Sequence, residues 1–362
     1  MSSQVTAKRP LDVPPHGYPL FEVGGSYREI GQQVAQAAGD IIGRFLEVSL
    51  DFKRCVAYLR KHGRQRLHSM LAQTRVALPG PVEELEGMAE GLGIEFLELF
   101  AYNCRPEIGV ISKTGGCSTL GWCKDERMAL VHNEDGDASN VGFMFLLKVR
   151  PPSGVVFVNF VYPGLLPGLG PGLNSRGIVQ TVNYIQPRRA FDGIPRYFIS
   201  RAILESETLG QAVSLATMKD RAFPCHHTIA SLREARLLSI ETFPGRHHTI
   251  EVHGGHLHTN HLVHREMQVS GPHLRCVSYR STVTRCRVLK EAIASAGSEP
   301  TRTDDMVRML SLHEGEPYSP CVHPQGKVHA ATLGTAVFEA PERAMTFYHG
   351  NPCRGYCKRY EL

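Results

Sequence analysis

Gly115-Gly116-Cys117-Ser118-Thr119 marks the point at which this chain changes character. On its N-terminal side the pattern is helical. Gly24-Gly25-Ser26 is a break and cap signal, and Ile30, Val34, Ala38, Ile41, Phe45, Val48 and Phe52 follow at three- and four-residue spacing, which predicts one long amphipathic helix. A second helical run starts after Pro79-Gly80-Pro81 and carries Val82, Leu85, Met88, Ala89 and Leu92, with Gly91 and Gly93 punctuating it before the apolar run 96–102. On the C-terminal side short apolar or alternating runs predominate: 128–132, 142–149, 155–161, 177–182 and 228–232, each bounded by Gly, Pro, Asn or Asp, predict strands. Helical spacing returns at 195–207, 209–218 and 282–296, and strands at 331–338 and 344–348. No regular βαβ alternation and no fixed-period repeat is present, so the expectation is a layered α+β fold with stacked antiparallel sheets.

The bulk properties narrow the class. With 362 residues and 42% apolar content the chain can bury a large core. The first fourteen residues are charged and proline-containing without an apolar signal core, and no apolar run approaches the roughly eighteen residues of a membrane span. A soluble, cytoplasmic protein without a membrane partner is expected. Ten cysteines are dispersed, unlike a small disulfide scaffold, and read mostly as buried thiols. Cys353 and Cys357 lie four apart but lack a second pair at zinc-ligand spacing, so no metal is expected there. The net charge of +5 is spread out, and Arg188-Arg189 and Lys358-Arg359 lack interleaved aromatics, which argues against a nucleic-acid partner.

Two glycines before Cys117 permit backbone geometries closed to other residues, and a strained turn there would present the Gly116 carbonyl to the Cys117 thiol for an N-to-S acyl shift. An ordinary turn before a buried strand cysteine has the same spelling. If the Gly116–Cys117 bond breaks, a new α-amine with a pKa of about 7.7–8.0 lies on the same residue as a thiol near 8.5, so base and nucleophile come together. Such a site needs an orienting acid and oxyanion donors. His132-Asn133-Glu134-Asp135-Gly136-Asp137, read as a strand end, offers several groups, although a calcium-like or merely solvated acidic turn reads identically; Asn183 and Asn260 lie beside apolar runs, where turn caps also occur. His256-x-His258-x-x-His261, His226-His227 and His247-His248 raise a metal reading, since His256 and His258 would share a strand face, but the spacing is loose and no catalytic metal or other cofactor is expected.

Several motifs then occur in a telling order: Gly-Ser-x-x-x-Ile-Gly (25–31), Glu-Leu-x-Gly-Met-Ala-Glu-Gly-Leu-Gly-Ile (84–94), Gly-Cys-Ser-Thr (116–119), His-Asn-Glu-Asp (132–135), Gly-Leu-Asn-Ser-Arg-Gly (172–177), His-Thr-Asn-His (258–261) and Gly-Asn-Pro-Cys (350–353). From about residue 20 to 355 the chain resembles the isopenicillin N acyltransferase family of N-terminal-nucleophile hydrolases. Pro-Arg-x-Phe-Ile-x-Arg-Ala (195–202) makes it similar to the branch containing the insect β-alanyl-dopamine hydrolase. The resemblance implies a four-layer αββα fold with two stacked antiparallel sheets. It also implies self-cleavage between Gly116 and Cys117, giving a helical α-chain (1–116) that stays with a β-chain (117–362) as one domain.

Within it, Cys117 matches the nucleophile, Asp135 the carboxylate that contacts the new amine, and Asn260 the asparagine near the nucleophile. A more distant similarity to bile salt and penicillin V hydrolases aligns Asn183 with their oxyanion asparagine and Arg285 with their active-site arginine, with Arg280 a competing register. Glu134 and Gly136 stand where penicillin acyltransferases carry aromatics. That departure weakens inference of a bulky apolar acyl pocket and adds a carboxylate that, with Asp137, would attract a cationic small-molecule substrate. Hydrolysis of a small aminoacyl or acyl amide is therefore expected, with acyl transfer to an amine as the alternative; a homo-oligomer stays open.

Overall fold

The computed structural model describes residues 13–110, 116–268, 276–277 and 280–362. Strand β1 (Leu20–Gly24) leads into helix α1 (Tyr27–Val48), started by a capping box in which the Ser26 side chain accepts from Glu29 N and the Glu29 carboxylate takes the Ser26 N–H. The single helix expected to reach Phe52 is in fact two. Ser49 adopts an extended backbone, closes α1, and caps α2 (Leu50–Tyr58) by accepting from Phe52 N, because a serine hydroxyl replaces the missing helical acceptor. One π turn (Leu59–Gly63) joins α2 to α3 (Arg64–Ala77), a helix with too weak an apolar stripe to be read in the sequence. Helix α4 (Pro79–Leu92) opens with prolines in its first turn and ends on left-handed Gly93, and α5 (Phe96–Asn103) follows.

Helices α1 and α4 cross at backbone distance. A Cβ on Gly31 would lie 1.9 Å from Glu84 O, and one on Gly87 2.0 Å from Arg28 O, so the glycines of the two N-terminal motifs are the crossing point.

The remaining elements are β2 (Gly116–Lys124), β3 (Arg127–Asp137), β4 (Phe145–Arg150), β5 (Phe157–Val161), β6 (Gly172–Asn174), β7 (Ile178–Tyr184), β8 (Gln186–Pro187), α6 (Arg196–Ile203) and α7 (Leu209–Ala216). Then come β9 (Cys225–Ser231), β10 (Arg236–Phe243), β11 (Arg246–Glu251), β12 (Gly254–His258), α8 (Arg265–Gln268), β13 (Cys276–Val277), α9 (Arg280–Ser295), α10 (Thr303–Leu310), β14 (Ala330–Glu339), β15 (Ala344–His349) and β16 (Cys357–Glu361). They build an eight-stranded sheet, β1-β4-β5-β6-β7-β9-β10-β11, and a six-stranded sheet, β12-β2-β3-β14-β15-β16. Pairing in both is antiparallel except for β1 with β4, whose long helical crossover permits a parallel match.

The sheets face each other where β2 meets β7 and β10; α6 and α7 lie on the eight-stranded sheet's side, α9 and α10 on the six-stranded one's. This is a four-layer α+β arrangement with two stacked sheets. Helices from before Gly116 and strands from after it share one core, in which Ile30, Phe45, Met88 and Phe100 sit with Phe145, Phe160 and Phe198. Glu84 of α4 and Arg201 of α6 form a fully buried ion pair at 2.7 Å, with Glu205 on the same guanidinium. Removing one partner of such a pair costs about 3–5 kcal/mol, which gives the 84–94 and 195–202 motifs a structural reason. Among the described residues no helix is long and apolar enough to cross a membrane.

Two strand boundaries differ from expectation in a way that matters. His132 to Asp137 are not a turn after a strand but continue β3, and Asn183 lies within β7 rather than at its end. Both extensions carry polar residues that pair across the sheet and between sheets, so apolar alternation does not reveal them.

Candidate active site

Pairing of β2 with β3 sets Cys117 opposite Glu134 and Gly116 opposite Asp135. Alternation then sorts the hairpin: Cys117, Thr119, His132 and Glu134 face the eight-stranded sheet, whereas Ser118, Asn133 and Asp135 face the side of α9 and α10.

The backbone of Cys117 is gripped on both sides. Its N–H donates to Asn260 Oδ1 at 2.8 Å, and its carbonyl accepts from Arg285 Nη1 at 2.6 Å. The same Nη1 donates to Ser118 Oγ at 2.9 Å, and Nη2 donates to Asn260 Oδ1 at 2.6 Å. Asn260 Nδ2 donates to Tyr184 O at 3.0 Å, so flipping the amide would set an NH₂ against two donors; the network fixes its orientation. Asn260 follows β12, which pairs with β2, and Arg285 is carried by α9. Arg280 instead lies over the Tyr318 ring, 5.9 Å from its centre, so Arg285 is the arginine at Cys117.

Of the two glycines anticipated to form a strained turn, Gly115 lies outside the described residues and Gly116 shows no such strain. It lies on β2 without a left-handed φ. Its requirement is space: a Cβ there would sit 2.2 Å from Arg285 Nη2 and 2.7 Å from Asn260 Oδ1.

The thiol lies 3.7 Å from Glu134 Oε2. Glu134 Oε1 accepts from Tyr162 OH at 2.6 Å, and Oε2 is 3.3 Å from His132 Nε2. From there a polar chain runs between the sheets, from His132 Nδ1 to Thr119 Oγ1 at 2.8 Å, on to Asn183 Oδ1 at 3.0 Å and His226 Nδ1 at 2.9 Å. Burial pushes the Cys117 thiol well above its ordinary range, Glu134 and Asp135 add to the rise, and Arg285 opposes it. Asp135 is raised to about 7, first by burial, against the pull of Arg285 and the Thr332 hydroxyl, which donates to its Oδ1 at 2.7 Å. Asp135 Oδ2 is buried without a hydrogen-bond partner. Burial likewise depresses Arg285, and Asp135 is the strongest group restoring it.

Cys117, Glu134, Asp135, Asp137, Asn260 and Arg285 line a cavity of about 960 Å³ walled by Tyr102, Tyr162, Tyr184, Tyr197 and Tyr318. That volume suits a small-molecule site. Asp137 is half-buried at this wall and accepts from Ser139 N at 2.9 Å. Asn183 is set back from the wall formed by Val182 and Tyr184, and its Nδ2 has no partner. Tyr162 and Thr332, the direct partners of Glu134 and Asp135, escaped the sequence reading: Tyr162 sits in a Gly- and Pro-rich segment with no periodicity, and Thr332 reads as an ordinary strand threonine.

His226 and His258 are interior hydrogen-bonding groups. His258 has both ring nitrogens engaged, with Thr259 O at 2.6 Å and Glu241 Oε1 at 2.9 Å, and stacks on His226 at 3.5 Å. His256 faces Thr228 Oγ1 at 3.4 Å, and burial lowers the pKa of both His256 and His258 to about 3.

The model of the acyl-coenzyme A:6-aminopenicillanic acid acyl-transferase family matches residues 122–354, a span that starts just after Cys117 and includes Asp135, Asn260 and Arg285. The β-alanyl-dopamine/carcinine hydrolase of Drosophila melanogaster is 24% identical over 92% of this chain and 93% of its own. A solved structure, the Caenorhabditis elegans N-acylethanolamine-hydrolyzing acid amidase ortholog, aligns at 12% identity over 61% of this chain and 92% of its own, with a TM-score of 0.42. The class so defined by the two stacked sheets and the family match is an α+β enzyme. Within it, the chain belongs to the acyl-coenzyme A:6-aminopenicillanic acid acyl-transferase family, the isopenicillin N acyltransferase family read from its motifs.

Proposed function

We propose that this chain is a self-activating cysteine amidohydrolase that cleaves small aminoacyl amides of the β-alanyl-amine kind. The observation that carries the reading is Cys117 itself: a buried thiol on the cavity wall whose own N–H and C=O are held by Asn260 and Arg285. In the proposed activation the thiol adds to the Gly116 carbonyl carbon, the Gly116–Cys117 C–N bond breaks, and the Cys117 amine is freed as Gly116 becomes a thioester on Sγ. Water then releases the Gly116 carboxylate and restores the thiol, leaving chains 1–116 and 117–362 together.

The new ammonium would lie where Cys117 N now faces Asn260 Oδ1, and the unpartnered Oδ2 of Asp135 is our candidate to receive it. In turnover the neutral form of that amine takes the thiol proton and becomes the ammonium, and the thiolate attacks the substrate carbonyl. The substrate C–N bond breaks as the ammonium returns a proton to the leaving amine, and water then hydrolyses the acyl-enzyme to free the acid and restore the thiol. Asn183, with a free Nδ2, is our candidate oxyanion donor. Glu134 and Asp137 would attract the substrate's ammonium while the tyrosine walls accept an aromatic amine, chemistry in keeping with what the Drosophila relative is named for. The family's acyl-transferase name supports a second reading, in which an amine replaces water as acceptor.

Purified protein should run as two fragments under denaturing conditions, the larger starting Cys-Ser-Thr, and Cys117→Ala should stay whole and lose roughly 10³-fold or more activity. An uncleaved wild-type chain with full amidase activity would refute the mechanism.

A further inference from the structure

Away from Cys117, four side chains distant in sequence converge. His313 follows α10, Cys321 and His323 lie on the segment before β14, and Cys353 lies in the 3₁₀ turn Pro352–Arg354 after β15. One donor atom from each falls within 4.8 Å of all the others. The Cys321 and Cys353 sulfurs are 3.7 Å apart, and His323 Nε2 is 3.6 Å from the first and 3.5 Å from the second. The His313 and His323 rings meet edge to face with centres 5.0 Å apart.

We infer that His313, Cys321, His323 and Cys353 bind one zinc ion in a closed, structural Cys₂His₂ site. Tetrahedral zinc, with Zn–S of about 2.3 Å and Zn–N of about 2.0–2.1 Å, sets its ligands ~3.8 Å apart for S···S and ~3.5 Å for S···N, close to the separations among Cys321, Cys353 and His323, with a His313 ring nitrogen within 4.8 Å of all three. Two thiolates balance the dication, so a partly buried site carries no net charge. The donor set is soft, and its geometry and four protein ligands leave no open position for catalysis. Asn351 supplies the supporting contact expected of a thiolate ligand, since its Nδ2 donates to Cys321 Sγ at 3.3 Å and to Val322 O at 2.8 Å. Cys357, the cysteine nearest to Cys353 in sequence, takes no part.

The placement gives the ion a task. The segment joining α10 to β14 supplies Tyr318, Pro324 and His329 to the wall of the Cys117 cavity. Its Val322 N–H donates to Thr332 Oγ1 at 2.9 Å, the hydroxyl that in turn donates to Asp135 Oδ1. Zinc would staple this wall to the turn after β15 and hold Asp135 through two hydrogen bonds.

The test is metal analysis of the full chain expressed in zinc-supplemented medium and dialysed without chelator, independent of any activity. About one zinc per chain is expected in the wild type and in Cys117→Ala; the latter separates this site from the Cys117, His132 and Glu134 cluster. Cys353→Ser and His313→Asn, both at exposed positions, should lose the ion. Asn351→Ala should retain the fold but bind zinc roughly 10–100-fold more weakly. Cobalt substituted into the wild type should show the absorption of a tetrahedral thiolate complex. Substoichiometric zinc, full zinc in Cys353→Ser, or a Cys321–Cys353 disulfide in native protein by non-reducing mass spectrometry would each overturn the site.

Discussion

The two faces of the β2–β3 hairpin make opposite environments from adjacent residues. Facing the eight-stranded sheet, Cys117 has Glu134, His132 and Thr119 for neighbours; facing the α9 and α10 side, Ser118 meets the buried guanidinium of Arg285, to which Asp135 is electrostatically coupled. Arg285, the cation that lowers the thiol's pKa, acts from that second side and touches Cys117 through its carbonyl rather than its sulfur. Carboxylates meanwhile raise the thiol. The contrast teaches that the uncleaved chain holds a poor nucleophile in a well-made grip, and that a new ammonium at Cys117 would supply the positive charge the thiol face lacks.

Arg285→Met should have the largest effect, because it leaves the Cys117 carbonyl, Ser118 Oγ and Asn260 Oδ1 short of a buried donor. A stability loss of about 3–5 kcal/mol is expected in denaturant titrations, with processing largely abolished. Arg285→Lys restores charge but not the two-nitrogen fork, and should recover only part. Unimpaired processing in both variants would dissolve the contrast between the faces.

Asp135→Asn tests the acid of the second face. In the uncleaved fold the carboxyl keeps its proton up to about pH 7. In the unfolded chain it ionises near ~3.9, so this residue makes stability fall as pH rises from about 4 to about 7, by roughly 4 kcal/mol in all, and leaves it flat above that. In a Cys117→Ala background, Asp135→Asn should flatten this slope in urea midpoints measured across that range; an unchanged slope assigns it to other groups. In the processed enzyme the same change should strongly reduce turnover.

On the first face, Asn183→Ala should lower kcat by about 10²–10³ if its Nδ2 serves the oxyanion, with KM little changed. A loss confined to stability would assign Asn183 only to holding Thr119 and His226. The smallest effect is expected of Glu134→Gln, which should raise KM more for aminoacyl amides than for uncharged acyl amides of the same size. Equal shifts for both substrates would remove the charge argument.

Much of the architecture was written locally. Ser26 with Glu29, the spacing from Ile30 to Phe45, and left-handed Gly93 announce helices through contacts within a few residues, so α1, α4 and α5 were legible. Helix α3 was not, and the break at Ser49 was missed because one hydroxyl cap outweighs a continuing apolar stripe.

At the site, Cys117 and Asp135 stood out by motif, and Glu134 by its departure from it. Their relation did not. That Glu134 rather than Asp135 shares a face with the thiol follows from strand pairing, since a shift of one residue would exchange them. Arg285 lies 168 residues from Cys117 and could not be told from Arg280 until α9 was placed on the sheet. Tyr162, Thr332 and the convergence of His313, Cys321, His323 and Cys353 had no local signature at all. By itself the sequence determined helices α1, α4 and α5, the strand character after Gly116 and the candidate nucleophile, because those depend on short-range periodicity and residue chemistry. Only the tertiary structure decided which carboxylate meets the sulfur, which arginine holds the backbone and which cysteines meet, because these depend on register and on stacking between elements far apart in the chain.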